Sequence, residues 1–132
     1  MGAITDGLLA LVGIAADDTE AVMRSMIAKM INLRIFEDAA GKMNLSLQDT
    51  GGSLLLVSQF TLYADCRKGR RPSYTNAAPP DAARQMFERL VELARLTGVQ
   101  VATGQFQATM EVSLVNRGPV TIILDSHELG LH

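Results

Sequence analysis

The chain has 132 residues, 48% apolar and 20% charged, which suits one globular domain and excludes general disorder. Twelve basic against fourteen acidic residues leave a net charge of −2, so nucleic acid cannot be bound by bulk positive charge and any such binding must use a local patch. The single cysteine excludes an intramolecular disulfide and a cysteine-based zinc cluster, and it suits a reducing cytoplasm.

Leu8 to Val12 form an apolar run closed by Gly13, so residues 7–14 read as a buried strand. Asp17 and Glu20 stand at capping-box spacing. Met23, Met26, Ile27, Met30 and Ile31 then recur at helical spacing and predict a helix over about 18–33. Glu37 to Gly41 and Gly51-Gly52 read as turns. Residues 53–64 carry the strongest strand signal, with Leu54, Leu55, Leu56 and Val57 followed by Phe60, Leu62 and Tyr63. Residues 65–78 are polar, basic and aperiodic, and read as a loop. Pro79-Pro80 suits the first turn of a helix. Ala83, Met86, Phe87, Leu90, Val91 and Ala94 continue that helix until Gly98. Residues 99–102, 108–115 and 120–124 read as three more strands; Met110, Val112 and Leu114 alternate with Glu111 and Ser113. The order predicts a single α/β domain with a mixed β-sheet and two amphipathic helices. The domain is expected over 1–125, and the aperiodic residues 126–132 are expected to be a mobile tail. The longest apolar runs fall far below the roughly 20 residues of a membrane span, so no membrane partner is expected. Met1 to Asp6 has no basic stretch, so no secretory leader is expected.

Nucleophilic catalysis by serine needs an adjacent base, usually histidine. The two histidines, His127 and His132, lie in the expected tail, which argues against a Ser-His-Asp triad. No Cys/His cluster, carboxylate ligand spacing or glycine-rich phosphate loop is visible, so neither a metal nor a cofactor is expected. Arg67, Lys68, Arg70 and Arg71 lie within five positions. They are either a solvated loop or a phosphate-contacting patch, and spacing alone does not choose. Ser58, Gln59, Phe60, Thr61 and Leu62 bring polar groups into the strongest apolar segment. They mark either satisfied hydrogen bonds at a strand edge or the wall of a site. In a regular strand Ser58 and Thr61 point to opposite faces, so one site would need a bulge or a backbone contribution. Asn116-Arg117-Gly118-Pro119 reads by default as a hairpin turn with a trans bond.

Taken together, these stretches resemble the D-aminoacyl-tRNA deacylase family, also called D-tyrosyl-tRNA deacylases. The matching residues are Leu33 to Phe36, Gly41 to Ser46, Ser58 to Leu62, Arg67 to Pro72, Ala77 to Pro80, Val112 to Asn116 and Gly118 to Thr121. They cover the chain from about residue 7 to 125. Each motif alone is weak, but their order and spacing make the match specific. The resemblance implies a barrel-like fold and a cytoplasmic homodimer with its site at the subunit interface. It implies a hydrolase that cleaves the ester joining a D-amino acid to the terminal adenosine of tRNA, and glycine from mischarged tRNA-Ala. Ser58, Gln59, Phe60 and Thr61 would then form the catalytic wall, with Met110 and Asn116 in the pocket. Gly118-Pro119 would be cis and would reach into the partner's site to exclude L side chains. The basic cluster Arg67, Lys68, Arg70 and Arg71 would bind the tRNA. Catalysis would lean on the tRNA's own 2′-hydroxyl, in keeping with the lack of a usable histidine base. Two departures stand out. Family members usually begin with about twenty further residues forming a strand and hairpin, and Arg117 stands where an acidic or small residue is common. A non-catalytic or degenerate tRNA-binding module of the same fold is the alternative.

Overall fold

The first helix owes its start to a threonine. Thr19 is its N-cap, and the Thr19 hydroxyl oxygen accepts the Val22 N–H at 3.2 Å. The cap therefore falls two residues after the Asp17 expected from sequence; Asp18 instead accepts the Ala15 N–H at 2.8 Å and closes the preceding turn. In this computed structural model, which describes residues 2–132, the elements run β1 (Gly7–Val12), α1 (Glu20–Asn32), β2 (Phe36–Glu37), β3 (Met43–Leu45), α2 (Leu47–Thr50), β4 (Ser53–Ser58), a 3-10 turn (Phe60–Tyr63), α3 (Pro80–Leu96) and β5 (Val101–Thr103). The short α2 carries a capping box, in which Ser46 and Asp49 exchange side-chain and backbone hydrogen bonds. It ends at Gly51 in the left-handed region, with φ 68°. The expected turn over Glu37 to Gly41 joins β2 to β3, and Asp38 accepts the Ala40 and Lys42 N–H groups there.

The main sheet has the order β1-β4-β5 and is wholly parallel; β2 and β3 form a separate antiparallel pair. The expected single mixed sheet is thus replaced by a parallel sheet and a small hairpin. Parallel neighbours need long crossovers, and α1 and α3 lie within them. In the β1–β4 register Leu8 faces Leu54 and Ala10 faces Leu56. Leu54 and Leu56 are fully buried, in one cluster with Ile27 and Ile31 of α1 and Phe87, Leu90 and Ala94 of α3. Arg89 of α3 also bonds Glu20 of α1 at 2.6 Å. The helices therefore cover one face of the sheet. The other face carries Leu9, Leu11, Leu55 and Val57, and Leu11 is exposed.

The strands expected over 108–115 and 120–124 do not form among the described residues. Their period-2 alternation is real, but a strand needs a neighbour for its N–H and C=O groups. No backbone ladder reaches residues 109–124. Met110, Val112, Leu114, Val115, Ile122 and Ile123 are exposed, Val115 and Ile123 to 87% and 88%. The tail, expected to be mobile, folds into turns in which Leu129, Gly130 and Leu131 donate to Asp125, His127 and Ser126.

Deleting a β4 side chain leaves a cavity that two helices and two strands cannot all close. Leu54→Ala should cost about 2–5 kcal/mol, read as a lower midpoint with unchanged slope in urea unfolding.

Candidate functional site

The most polar end of the sheet lies at the C-terminal end of β4. Ser58 pairs with Val12, and the Gln59 N–H still donates to the Val12 carbonyl at 2.8 Å. The chain then leaves the extended conformation. Leu62 and Ala64 donate to the carbonyls of Gln59 and Thr61, which winds Phe60–Tyr63 into a 3-10 turn. The expected strand over 53–64 therefore ends at Ser58. The turn also removes the geometric conflict between Ser58 and Thr61, since the two no longer belong to one strand. The Gln59 amide donates to the Thr61 hydroxyl oxygen. Phe60 is 56% exposed, and its ring meets that of Tyr74 edge-on, with centroids 5.1 Å apart. Tyr74, a lone aromatic after the basic cluster, escaped the sequence reading.

Met110 comes to the same end of the sheet. It lies on Gly104, where an added Cβ would meet the Met110 sulfur and Cε at 3.4 Å and Val57 at 3.7 Å. Asn116, Gly118 and Pro119 do not come there. Arg117 lies 3.7 Å from Asp6, just before β1, whereas Ser58 pairs with the last residue of β1. Six residues of strand separate those ends by about 20 Å. Within one chain, the catalytic-wall candidates and the Gly118-Pro119 loop are thus at opposite ends of the sheet. The loop has an internal order of its own. The Gly118–Pro119 peptide is cis. Asn116 Oδ1 accepts the Val120 N–H at 3.3 Å, and its amide donates to Thr121 at 3.4 Å. Gly118 has φ 143°, and a Cβ there would lie 2.6 Å from both the N and Cγ2 of Val120.

The basic loop is closed at its base, where Asp65 and Ser73 exchange backbone hydrogen bonds at 2.7 and 2.9 Å. Arg67 is held within the loop by a bidentate contact to Asp65 at 2.7 and 2.9 Å. That hydrogen-bonded guanidinium draws the Asp65 carboxyl down to about 2. Lys68, Arg70 and Arg71 make no salt bridge among the described residues and are exposed. The four expected phosphate contacts thus divide into one arginine that braces the loop and three cations facing solvent.

Neither histidine approaches Ser58 or Thr61. His127 and His132 stack on each other beside Asp17. Tyr63 lies between the two regions: burial raises its phenol pKa, and the charges of Asp18, Asp125 and Asp17 raise it further. What stands at the end of β4 is a set of hydroxyl, amide and aromatic groups with no general base, next to a cation-rich loop. That is the arrangement the candidate site offers on a parallel α/β domain.

Comparison with known proteins gives the class a family. A family model described as D-Tyr-tRNA(Tyr) deacylase matches residues 1–125. The chain is 57% identical over 129 residues to the D-aminoacyl-tRNA deacylase of Thermotoga petrophila, spanning 98% of this chain and 87% of the relative. It is 59% identical over 128 residues to the enzyme of the same name from Kosmotoga olearia, spanning 97% and 86%. The solved structure of the c-Myc DNA unwinding element binding protein superposes with a TM-score of 0.86 at 37% identity, covering 92% of this chain and 83% of that one. The chain belongs to the D-Tyr-tRNA(Tyr) deacylase family.

The Gly118 geometry is open to direct test. Gly118→Ala forces either the positive φ or the Val120 contact to give, at about 1–3 kcal/mol. Backbone NMR shifts should change over 116–121 and stay fixed in α1 and α3; an unshifted loop would show that the site tolerates a Cβ.

Proposed function

We propose that the chain hydrolyses the ester between a D-amino acid and the terminal adenosine of tRNA, and glycine mischarged on tRNA-Ala. The observation that carries this reading is a relationship of 54–59% identity over nearly the whole chain to proteins named D-aminoacyl-tRNA deacylase. Ser58, Gln59, Phe60 and Thr61 form the wall that receives the aminoacyl end, with Met110 against it. Gly118 and Pro119 come from a second copy, with Asn116 ordering their loop. Two features support that assembly: the contact of Arg117 with Asp6, at the end of β1 away from Ser58, and the exposed apolar row of Met110, Val112 and Leu114. The loop's carbonyls leave room for a hydrogen at the substrate's α-carbon but none for a side chain. Selection is then exclusion of the L form and not recognition of the D form.

The chemistry fits a site without a base. A neutral hydroxyl is a weak nucleophile unless a base takes its proton. Thr61 accepts a hydrogen bond from Gln59 and has no imidazole beside it. The 2′-hydroxyl of the terminal ribose, adjacent to the ester, supplies the assistance. Lys68, Arg70 and Arg71 hold the backbone phosphates, and Arg67 shapes the loop that carries them. The work belongs to the cytoplasm, where charged tRNA is found.

D-tyrosyl-tRNA should release its amino acid at least a hundredfold faster than L-tyrosyl-tRNA, about 2.7 kcal/mol of discrimination. In the same assay Thr61→Ala should keep much of the activity, and a D-substrate ending in 2′-deoxyadenosine should react far more slowly. Equal rates for the two enantiomers, or a trapped acyl-Thr61, would sink the reading. Retained tRNA binding with no release of either amino acid would favour a non-catalytic module.

Alanine at all four of Arg67, Lys68, Arg70 and Arg71 should weaken binding to every tRNA alike. Each lost phosphate contact should flatten the log–log salt dependence by roughly 0.7–0.9. An unchanged slope in filter binding across a salt series would return the loop to a purely solvated role.

A further inference from the structure

We propose that Asp17, His127 and His132 form a binding site for a divalent cation of the zinc class, separate from the deacylation site. The two histidines stand five positions apart, an H-x4-H spacing that zinc sites use, but Asp17 lies 110 or more positions before them. The tail turn brings them together: one carboxylate oxygen and one ring nitrogen from each histidine lie within 4.8 Å of one another. Asp17 Oδ2 is 3.2 Å from His127 Nε2 and 3.7 Å from His132 Nδ1. Zinc bonds of about 2.0–2.1 Å in a tetrahedron put neighbouring ligand atoms roughly 3.3 Å apart. The two distances bracket that edge. Two imidazoles and one carboxylate are also the ligand set that borderline cations such as Zn²⁺ and Co²⁺ prefer. The fourth position lies on the solvent side of Asp17 and His127, whose side chains are exposed.

The surroundings support the site independently of the ligands. Metal-binding histidines usually donate their other N–H to a fixed acceptor. His132 Nε2 is 2.7 Å from the hydroxyl of Ser126, which is only 9% exposed. Asp18 Oδ1 lies 3.6 Å from the same nitrogen, is buried and has no hydrogen-bond partner. With its proton on Nε2, His132 turns the lone pair of Nδ1 toward Asp17. Asp125 accepts the His127 backbone N–H at 2.9 Å and fixes the start of the turn. The imidazole rings are stacked, with centroids 3.7 Å apart and planes 7° from parallel. Both lone pairs meet on one ion only when this stack opens. The Ser126–His132–Asp17 order superficially resembles a hydrolytic triad. Its 3.7 Å His–Asp separation is too long for a hydrogen bond, and a buried Ser126 cannot meet a substrate. Ser126 is therefore a positioning residue.

The test uses the whole chain, stripped of metal with a chelator and titrated with Zn²⁺ near neutral pH by calorimetry. One ion per chain is expected. His127→Gln, His132→Gln and Asp17→Asn should each weaken binding at least tenfold, and Ser126→Ala by roughly tenfold through loss of the orienting bond. Glu111→Gln, which removes an unrelated exposed carboxylate, should change nothing. Far-UV circular dichroism without metal keeps loss of binding distinct from loss of fold. Zn²⁺ should raise the melting temperature of the parent chain and not of the ligand variants. Co²⁺ should give a visible d–d spectrum that the variants lose. Substoichiometric binding, or equal affinity in parent and variants, would overturn the site.

Discussion

The strand β4 must satisfy two demands at once, and the rest of the molecule is arranged around that. Its middle, Leu54 and Leu56, is fully buried beneath both long helices. Its end must present polar side chains to solvent while its backbone stays bonded. The bond from the Gln59 N–H to Val12 carries the ladder one step past the last strand residue. Only then does the chain wind into the 3-10 turn. The wall of the site is thus fastened to the most rigid part of the core, and its geometry is inherited from packing and not from loop preference.

The segment after β5 is built on the contrary principle. Residues 109–124 alternate as a strand should, yet among the described residues no neighbour completes a backbone ladder with them. A row of apolar side chains beside unpaired backbone is what a sheet edge offers to another chain. An apolar row of this length rarely stays bare on a monomer. On the proposed reading, the cover and the catalytic partner are one requirement: a second copy that buries the row would also bring Gly118 and Pro119 to the wall.

Much of this was legible in the sequence, and the failures have definite causes. Helical periodicity located α1 and α3 because an amphipathic face is a local property. The leucine run located β4 for the same reason. Phe60, Leu62 and Tyr63 extended that strand falsely, since period-2 spacing cannot reveal where a ladder partner ends. The segments 108–115 and 120–124 failed likewise: alternation is local, pairing is not. The basic cluster was visible as four equal charges, but the diversion of Arg67 onto Asp65 needed three dimensions. The meeting of Asp17 with His127 and His132 lay beyond reach, because no spacing rule links a helix approach to a tail turn more than a hundred residues later.

The distribution of polar groups also bears on the proposed chemistry without a catalytic base. Both imidazoles are gathered at the tail beside Asp17, and Tyr63 and its neighbouring carboxylates stand between them and the β4 wall. What remains at the wall is an amide, hydroxyls and an exposed aromatic ring, groups that hold and orient but do not take up protons near neutrality. On the proposed reading, a site of that composition gains rate chiefly by fixing a substrate that carries its own assisting hydroxyl in the reactive geometry. Its selectivity must then be steric, since it has no charge with which to prefer one enantiomer. Steric selection is only as good as the stiffness of what excludes, and that is why a wall tied to the core strand and a loop locked by Asn116 and Gly118 suit the task better than flexible side chains would.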